Sequence, residues 1–475
     1  MMPQNTPPSP RSLFENLKRE HPFEPVSVTG TIPAFLRGTL YRNGVGLFEQ
    51  FGRRYTHVFE GDGAISAVRV EGGQSLAAVR LVESDGLKAE REAQRHLSGS
   101  AARWSTRIRA NFTGRSKNNA NTHVVSWQDR LFALMEGGKP TEINPDTLET
   151  IGESDLEGEI PGAFSAHPHR VESRKALYNF GLRYGKQTQI DLFTLPDTGP
   201  ARRLGALPLD HPVMVHDFIA SDNHLIFFIA PVSISIWRHM VGFGDFADKL
   251  KWSPALGTEV IIVPIDRPDQ PIRFSVEAFF ASHFAGAYEE DGHLIVDYIH
   301  YPDISLITVL EDGLGMTWTD KSRHVHGALH RAHINIAHRT FTTTPRWDGL
   351  CEFPRINPAR EGRKYQVIWL QTACYIEDCL RSEISRIDEN GGVITYTLPP
   401  GQFCSEPVPV MPLHSREDEG SILTLVYDCY DQKSHILILD ATDLVEQARI
   451  QLSQVIPLTF HGSWVGETPP DPLRD

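Results

Sequence analysis

Four histidines stand in settings that suit a metal ligand: His167 in FSAHPHRV, His216 in VMVHDFIASD, His283 in FFASHFAGAYEED and His461 in LTFHGSW. They are drawn from 21 histidines, and a lone histidine is more often a surface or satisfied core residue than a ligand. What sets them apart is context. The first three each lie in a strand-like run that leads into an acidic turn. Their separations of 49, 67 and 178 residues are compatible with steps of one or several repeats, although spacing alone does not distinguish design from coincidence. Four neutral imidazoles suit iron(II), zinc or copper, and they are not the two-histidine, one-carboxylate set of 2-oxoglutarate enzymes. A ligating imidazole also needs an acceptor for its second N–H, which fixes its tautomer and orientation. Three glutamates in apolar strands are candidates: Glu136 in ALMEGGKP, Glu352 in CEFPRIN and Glu406 in CSEPVPV. A carboxylate in such a strand is either turned to solvent or buried and paired, and the residues leave both readings open.

Other chemistry is less well supported. His169 shares a strand face with His167 and competes for the ligand role. His324, His326, His330, His333 and His338 form a dense group that reads as a solvated loop and strand. No Ser-His-Asp or Cys-His arrangement is present. The five cysteines make no C-x-x-C pair, which favours neither a zinc site nor a disulfide framework and suits a reduced, cytoplasmic protein. A net charge of −14 repels phosphate backbones, so nucleic acid is not an expected partner.

The elements that must position these residues are short strands. QDRLFALME from Gln128, SDNHLIFFIA from Ser221, EDGHLIVDYI from Glu290, EDEGSILTLVYD from Glu417 and, more weakly, ESRKALYNFGLRY from Glu172 each pair an acidic turn with an apolar run. Helical periodicity is sparse, with Arg11 to Glu20, Gly86 to His96 and the run from Asp440 as the best candidates. Hairpins without long intervening helices predict an all-β fold. Blades of roughly 40–50 residues account for the chain with about seven of them, so a β-propeller is expected rather than a sandwich. Residues 1–11, rich in proline and polar side chains, read as a disordered tail before a single domain over 12–475. Three segments are too long for tight turns and are expected to form a cap: Lys88 to Lys117, Ser233 to Pro254 and Tyr301 to His326. The middle one mixes Ile, Trp, Met and Phe with scattered charge. It reads either as a loop with one buried side or as a patch in peripheral contact with a membrane surface.

These residues resemble the carotenoid cleavage oxygenase family. GTLYRNGVGLFE, FEGDGAISAVRV, NANTHVVSW, ALMEGGKPTEINPDTLETIG, SAHPH, VHDF, HFAGAYEE, EFPRIN, SEPVPV and FHGSW follow one another in the family's order from about Phe23 to His461. The resemblance implies a seven-bladed propeller with a helical and loop dome over an axial iron(II). It implies His167, His216, His283 and His461 as ligands, with Glu136, Glu352 and Glu406 orienting the last three. It also places Thr122 beside an open metal position. The chemistry implied is cleavage of an alkene by O₂ into two carbonyl fragments.

Two departures stand out. Gly286 replaces a frequent asparagine, which implies a lost amide and looser surroundings at the third ligand. VPVMPLHSREDEG departs from the usual Phe-Val-Pro-Arg string. Relatives that cleave hydroxylated stilbenes carry lysine just before the glutamate matching Glu136, where this chain has Met135. An apolar polyene, a carotenoid or apocarotenoid giving retinal-like aldehydes, is therefore expected over a stilbene. An iron-dependent isomerase and a non-catalytic polyene-binding propeller are the alternatives from other classes.

Overall fold

The strand His224–Ile229 shows why the chain's apolar runs do not alternate with polar residues. In the computed structural model, which describes residues 10–72, 74–112, 117–235, 247–312, 325–376 and 379–467, its Leu225, Phe227 and Ile229 enter one hydrophobic cluster and Ile226 and Phe228 another. Both faces of the sheet are covered, so both sets of side chains are apolar.

The same logic repeats around a ring of seven antiparallel sheets, the blades of a β-propeller. From outer to inner edge, blade 1 runs His21–Pro25, Gln74–Leu81, Asp62–Glu71, Gly38–Leu47 and Thr459–Gly466. Listed from the inner edge outwards, blade 2 is built from His123–Trp127, Arg130–Leu134, Thr141–Ile143 and Thr150–Glu153, and blade 3 from His169–Val171, Ala176–Arg183, Thr188–Pro196 and Arg202–Leu209. Blade 4 joins Ile219–Ala220, His224–Ile229, Thr258–Pro264 and Ile272–Val276, and blade 5 joins Phe280–Glu290, His293–Tyr301, Ala328–Asn335 and Thr340–Trp347. Blade 6 holds Leu350–Arg355, Val367–Ile376, Cys379–Asp388 and Val393–Thr397. In blade 7, Gln402–Cys404 and Val408–Val410 share the inner edge of Ser421–Asp428, followed by Lys433–Asp440, Glu446–Gln451 and the early strand Val28–Gly30.

Ring closure is therefore double. The C-terminal strand Thr459–Gly466 completes blade 1, and the N-terminal Val28–Gly30 completes blade 7. Seven hydrophobic clusters fill the spaces between successive blades, including the seam between blades 7 and 1. A closed ring covers the sheet faces and leaves only short, protected edges, the inner ones lining the axis.

Expected helices fare unevenly. The expected span Gly86 to His96 overlaps the helix Asp85–Ala93, capped by Ser84, whose Oγ accepts the Leu87 N–H, and ended by Gln94 in the left-handed region. Arg11 to Glu20 does not form the expected helix. A single 3-10 turn, Arg11–Phe14, ends before Leu17, whose N–H is taken by the Gly46 carbonyl of blade 1. The run from Asp440 is likewise not helical. The Asp440 carboxylate caps a turn through the Thr442 and Asp443 N–H groups, and Glu446–Gln451 then pairs in blade 7 with Ala448 and Ile450 buried. Tertiary pairing overrides a modest helical period in both cases.

The long segments contain the helices Trp104–Phe112 and Ser305–Asp312. Leu310 of the second packs with Phe48, Val58 and Phe460, beside His461. Within the segment 233–254, Val232–Ile234 pairs with Leu250–Trp252. Residues 236–246 and 313–324, His324 among them, lie outside the described residues, as do residues 1–9 of the expected tail.

Candidate metal centre

The inner edge of each blade delivers at least one polar side chain to the propeller axis. Blade 1 brings His461, blade 2 Thr122 and His123, blade 3 His167, blade 4 His216, blade 5 His283, blade 6 Glu352 and blade 7 Glu406. His283 and His461 lie within strands. His167 and His216 stand in the irregular lead-ins to His169–Val171 and Ile219–Ala220. In Phe280–Glu290, pairing slips on both sides of Phe284, and such irregularities re-aim side chains.

The four imidazoles converge. Ring centroids are 4.5 Å apart for His167 and His216, 4.7 Å for His167 and His461, and 4.9 Å for both His216–His283 and His283–His461. His167, His283 and His461 each bring a nitrogen within 4.8 Å of the others, and the Nε2 atoms of His216 and His283 are 3.1 Å apart. Nε2 of His167 is buried without a hydrogen-bond partner among the described residues.

Three rings are engaged from behind by the three candidate glutamates. Nδ1 of His216 donates to Glu136, Nδ1 of His283 to Oε2 of Glu352 at 2.7 Å, and Nδ1 of His461 to Oε1 of Glu406 at 3.0 Å. Donation from Nδ1 turns each Nε2 toward the common centre, where it can offer a lone pair once it carries no proton. Glu352 also accepts from Ser282 and Tyr301, both at 2.7 Å, and from the Phe353 N–H at 3.1 Å. Glu406 accepts from Arg42 at 2.8 Å, Arg355 at 3.1 Å and the Gly462 N–H at 2.9 Å. Burial pushes the Glu352 carboxyl up, but His283, Tyr301 and Ser282 outweigh it and hold it at about 2. Burial is outweighed at Glu406 too, where Arg355, His461 and Arg42 hold the carboxyl well below the usual range.

The histidines divide electrostatically. Burial drives His167 far below the ordinary value and His461 down to about 4 despite Glu406, so both are neutral donors of a lone pair. His216 behaves oppositely: burial works against its charge, but Glu136, Asp217 and Glu352 raise it to about 9. The carboxylates thus hold a positive charge at the axis. A divalent cation suits that field, and its binding would displace the His216 proton. The donor set, the lone Nε2 of His167 and the surrounding field fit a metal of iron, zinc or copper type.

Other expected residues are placed as follows. Thr122 is buried beside His461, whose N–H donates to the Thr122 carbonyl, and its hydroxyl donates to Oδ1 of Asn121 at 3.1 Å. Asn121 is itself anchored through the carbonyls of Phe59 and Gly61. Met135 precedes Glu136, with its Sδ 3.1 Å from the Asn119 nitrogen. His169 does not join the cluster; its Nε2 donates to Asp217 at 2.9 Å. His330 and His333 lie on Ala328–Asn335, away from the axis, with His330 stacked on His300.

Gly286 does not leave slack near His283. Tyr365 fills the space, and a Cβ at 286 would stand 2.6 Å from its Cε1 and 2.9 Å from Cδ1 of Ile356. The Tyr365 hydroxyl donates to the buried Asp297 at 2.6 Å. Gly286→Asn is therefore expected to destabilise the fold by at least the ~1–3 kcal/mol typical of overpacking, read as a lower denaturant midpoint. An unchanged midpoint would show that Tyr365 yields its place without loss.

Arg42, Arg355, Asp217 and Phe353 were not singled out by sequence. The signal available was a charged residue inside an apolar string, which must be paired when buried. Phe353 gave none. It is held at φ 51° with its ring 5.2 Å from both His283 and His461.

A model of the family described as retinal pigment epithelial membrane protein, RPE65, matches residues 14–466. The chain is 30% identical to the apocarotenoid-15,15'-oxygenase of Synechocystis sp. over 97% of its length and 99% of the relative's. It is 27% identical to resveratrol cleavage oxygenase 1 of Aspergillus fumigatus, covering 86% of this chain and 85% of that one. Cobalt-substituted Synechocystis ACO superposes with a TM-score of 0.85 at 28% identity, over 96% of this chain and 98% of the other. A match that runs through all seven blades and takes in every residue of the axial cluster leaves one classification: the chain belongs to the RPE65 family of carotenoid oxygenases.

Proposed function

We propose that this protein is an iron(II)-dependent oxygenase that cleaves one conjugated C=C bond of a carotenoid or apocarotenoid with O₂, each alkene carbon leaving as a carbonyl. The observation that carries the reading is the set of four converging imidazoles, three of them held by a carboxylate at Nδ1 so that Nε2 faces the axis. His167, His216, His283 and His461 would hold the iron, which when bound supplies the redox centre for O₂ activation.

The chain's own contribution is position and exclusion. Four neutral ligands add no charge, and Glu136, Glu352 and Glu406 keep the rings in register. The Phe353 ring, 5.2 Å from both His283 and His461, gives the centre an apolar neighbour that suits a hydrocarbon. The hydroxyl proton of Thr122 is committed to Asn121. No separate general acid or base is needed, because the overall reaction transfers no proton.

Met135 supports the polyene over a hydroxylated stilbene, since a thioether offers a phenol no charge. Retinal-like aldehydes are the products this reading favours. Among the described residues no helix is long and apolar enough to cross a membrane. The Ile, Trp, Met and Phe content of 233–254 supports peripheral contact with a lipid surface through that segment.

The test is anaerobic reconstitution with iron(II), then parallel measurement of O₂ uptake and products on apocarotenals, intact carotenoids and resveratrol-like stilbenes. One O₂ consumed per apocarotenal cleaved is expected, with Met135→Lys slowing that turnover. Substrate rearranged without O₂ uptake would make the protein an isomerase. Faster cleavage of stilbene than of polyene would overturn the substrate assignment.

A further inference from the structure

Three of the converging histidines donate Nδ1–H to a glutamate; His167 does not. The carboxylate atom nearest its Nδ1 is Oδ1 of Asp217, at 4.0 Å, too far for a hydrogen bond. His167 and His216 also lie outside the strand ladders that hold His283 and His461 in place. Something else must order that side of the axis.

Asp217 is 5% exposed and sits where blades 3, 4 and 5 meet. Its Oδ1 accepts from Nε2 of His169 at 2.9 Å and from the Phe218 N–H at 2.8 Å. Its Oδ2 accepts from the Phe284 N–H at 3.1 Å. Each donor stands one or two residues from a converging histidine: His169 from His167, Phe218 from His216 and Phe284 from His283. One carboxylate thus ties together the three segments that carry them. From the other side, Nδ1 of His123 donates to the Ala166 carbonyl at 2.8 Å and Asn179 to the Ser165 carbonyl at 2.7 Å, so the turn before His167 is gripped on two faces.

We propose that Asp217 is a fourth positioning carboxylate of the centre, acting on His167, which has no glutamate of its own, through His169 and the backbone of blades 4 and 5. This rests on the reading of the four histidines as the metal site. All three groups facing Asp217 are donors, and this makes an amide a sharp probe. In Asp217→Asn the NH₂ must oppose either Phe284 N–H or Phe218 N–H, whichever way the amide is turned. The mismatch would loosen the segments without altering any of the four imidazoles.

The experiment measures iron(II) and cobalt(II) affinity, the visible absorption spectrum of the cobalt form, and the unfolding midpoint of the metal-free protein. Asp217→Asn is expected to weaken metal binding by about 10–100-fold and to change the cobalt spectrum. His169→Phe keeps an aromatic ring edge-on to Phe218 (centroids 5.1 Å apart) and removes only the donor, so it should shift both readings the same way by a smaller factor. Lowered stability with unchanged affinity and spectrum would show a merely structural role and overturn the proposal. Should the asparagine variant not fold, His169→Phe decides by the same two readings. His283→Ala is the separate control: full metal stoichiometry there would remove the four-histidine reading itself rather than the tie.

Discussion

His283→Ala is expected to abolish stoichiometric iron binding and to lower kcat/KM by roughly 10³ or more, a loss of about 4 kcal/mol in transition-state stabilisation. The ring is 4.9 Å from both His216 and His461, so its loss opens the centre on one side and removes one of four donors. The fold should survive. Glu352 loses its histidine but keeps Ser282, Tyr301 and the Phe353 N–H, which satisfy both carboxylate oxygens. Glu352→Gln, which leaves the imidazole in place and disturbs only its orientation, should lose less, about 10–100-fold in metal affinity. Metal analysis after reconstitution, run beside O₂ uptake, checks the order of the two. Iron retained at full stoichiometry and cleavage continuing in His283→Ala would sink the four-histidine centre.

The sequence carried the site further than it carried the path to it. His167, His216 and His283 were legible because each stands in an apolar run that leads into an acidic turn, although of these three only His283 lies within a strand. Glu352 and Glu406 were ambiguous between exposed and buried, and only the cross-blade partners Tyr301 and Arg42 resolve this. Propeller architecture was legible from acidic turns and apolar runs, because each blade repeats the same local pattern. The double closure was not, since Val28–Gly30 pairs with residues more than four hundred positions away and nothing local marks it. The helix expected from Asp440 failed for the same reason: its buried positions, Ala448 and Ile450, are set by the neighbouring blade rather than by the chain's own period. Gly286 shows a third kind of blindness. A substitution that reads as lost packing is filled by Tyr365, from a different blade.

The seam where the ring closes carries the largest stability effect. Arg42→Met is expected to destabilise the metal-free protein by about 3–5 kcal/mol, a large share of the ~5–15 kcal/mol that holds a typical domain together. Arg42 is 1% exposed. One guanidinium nitrogen donates to Glu406 of blade 7 at 2.8 Å, and the other to the Phe460 carbonyl at 2.8 Å and to Thr459 Oγ1 at 3.3 Å, on the C-terminal strand. A single side chain from an early strand therefore grips both the last strand and the neighbouring blade, and Glu406 passes that grip to His461. Methionine keeps much of the volume but leaves a buried carboxylate with one cation instead of two and the Phe460 carbonyl without its side-chain donor. Arg355 is the internal comparison. It also donates to Glu406, but its side chain is 23% exposed, so solvent can replace much of what Arg355→Met removes. Denaturant unfolding of the two metal-free variants should rank Arg42→Met well below Arg355→Met, and metal affinity should fall in the same order because both act on His461 through one carboxylate. The reverse ranking would mean that Glu406 depends on its solvent-side partner, and that the closure seam and the metal centre are held independently.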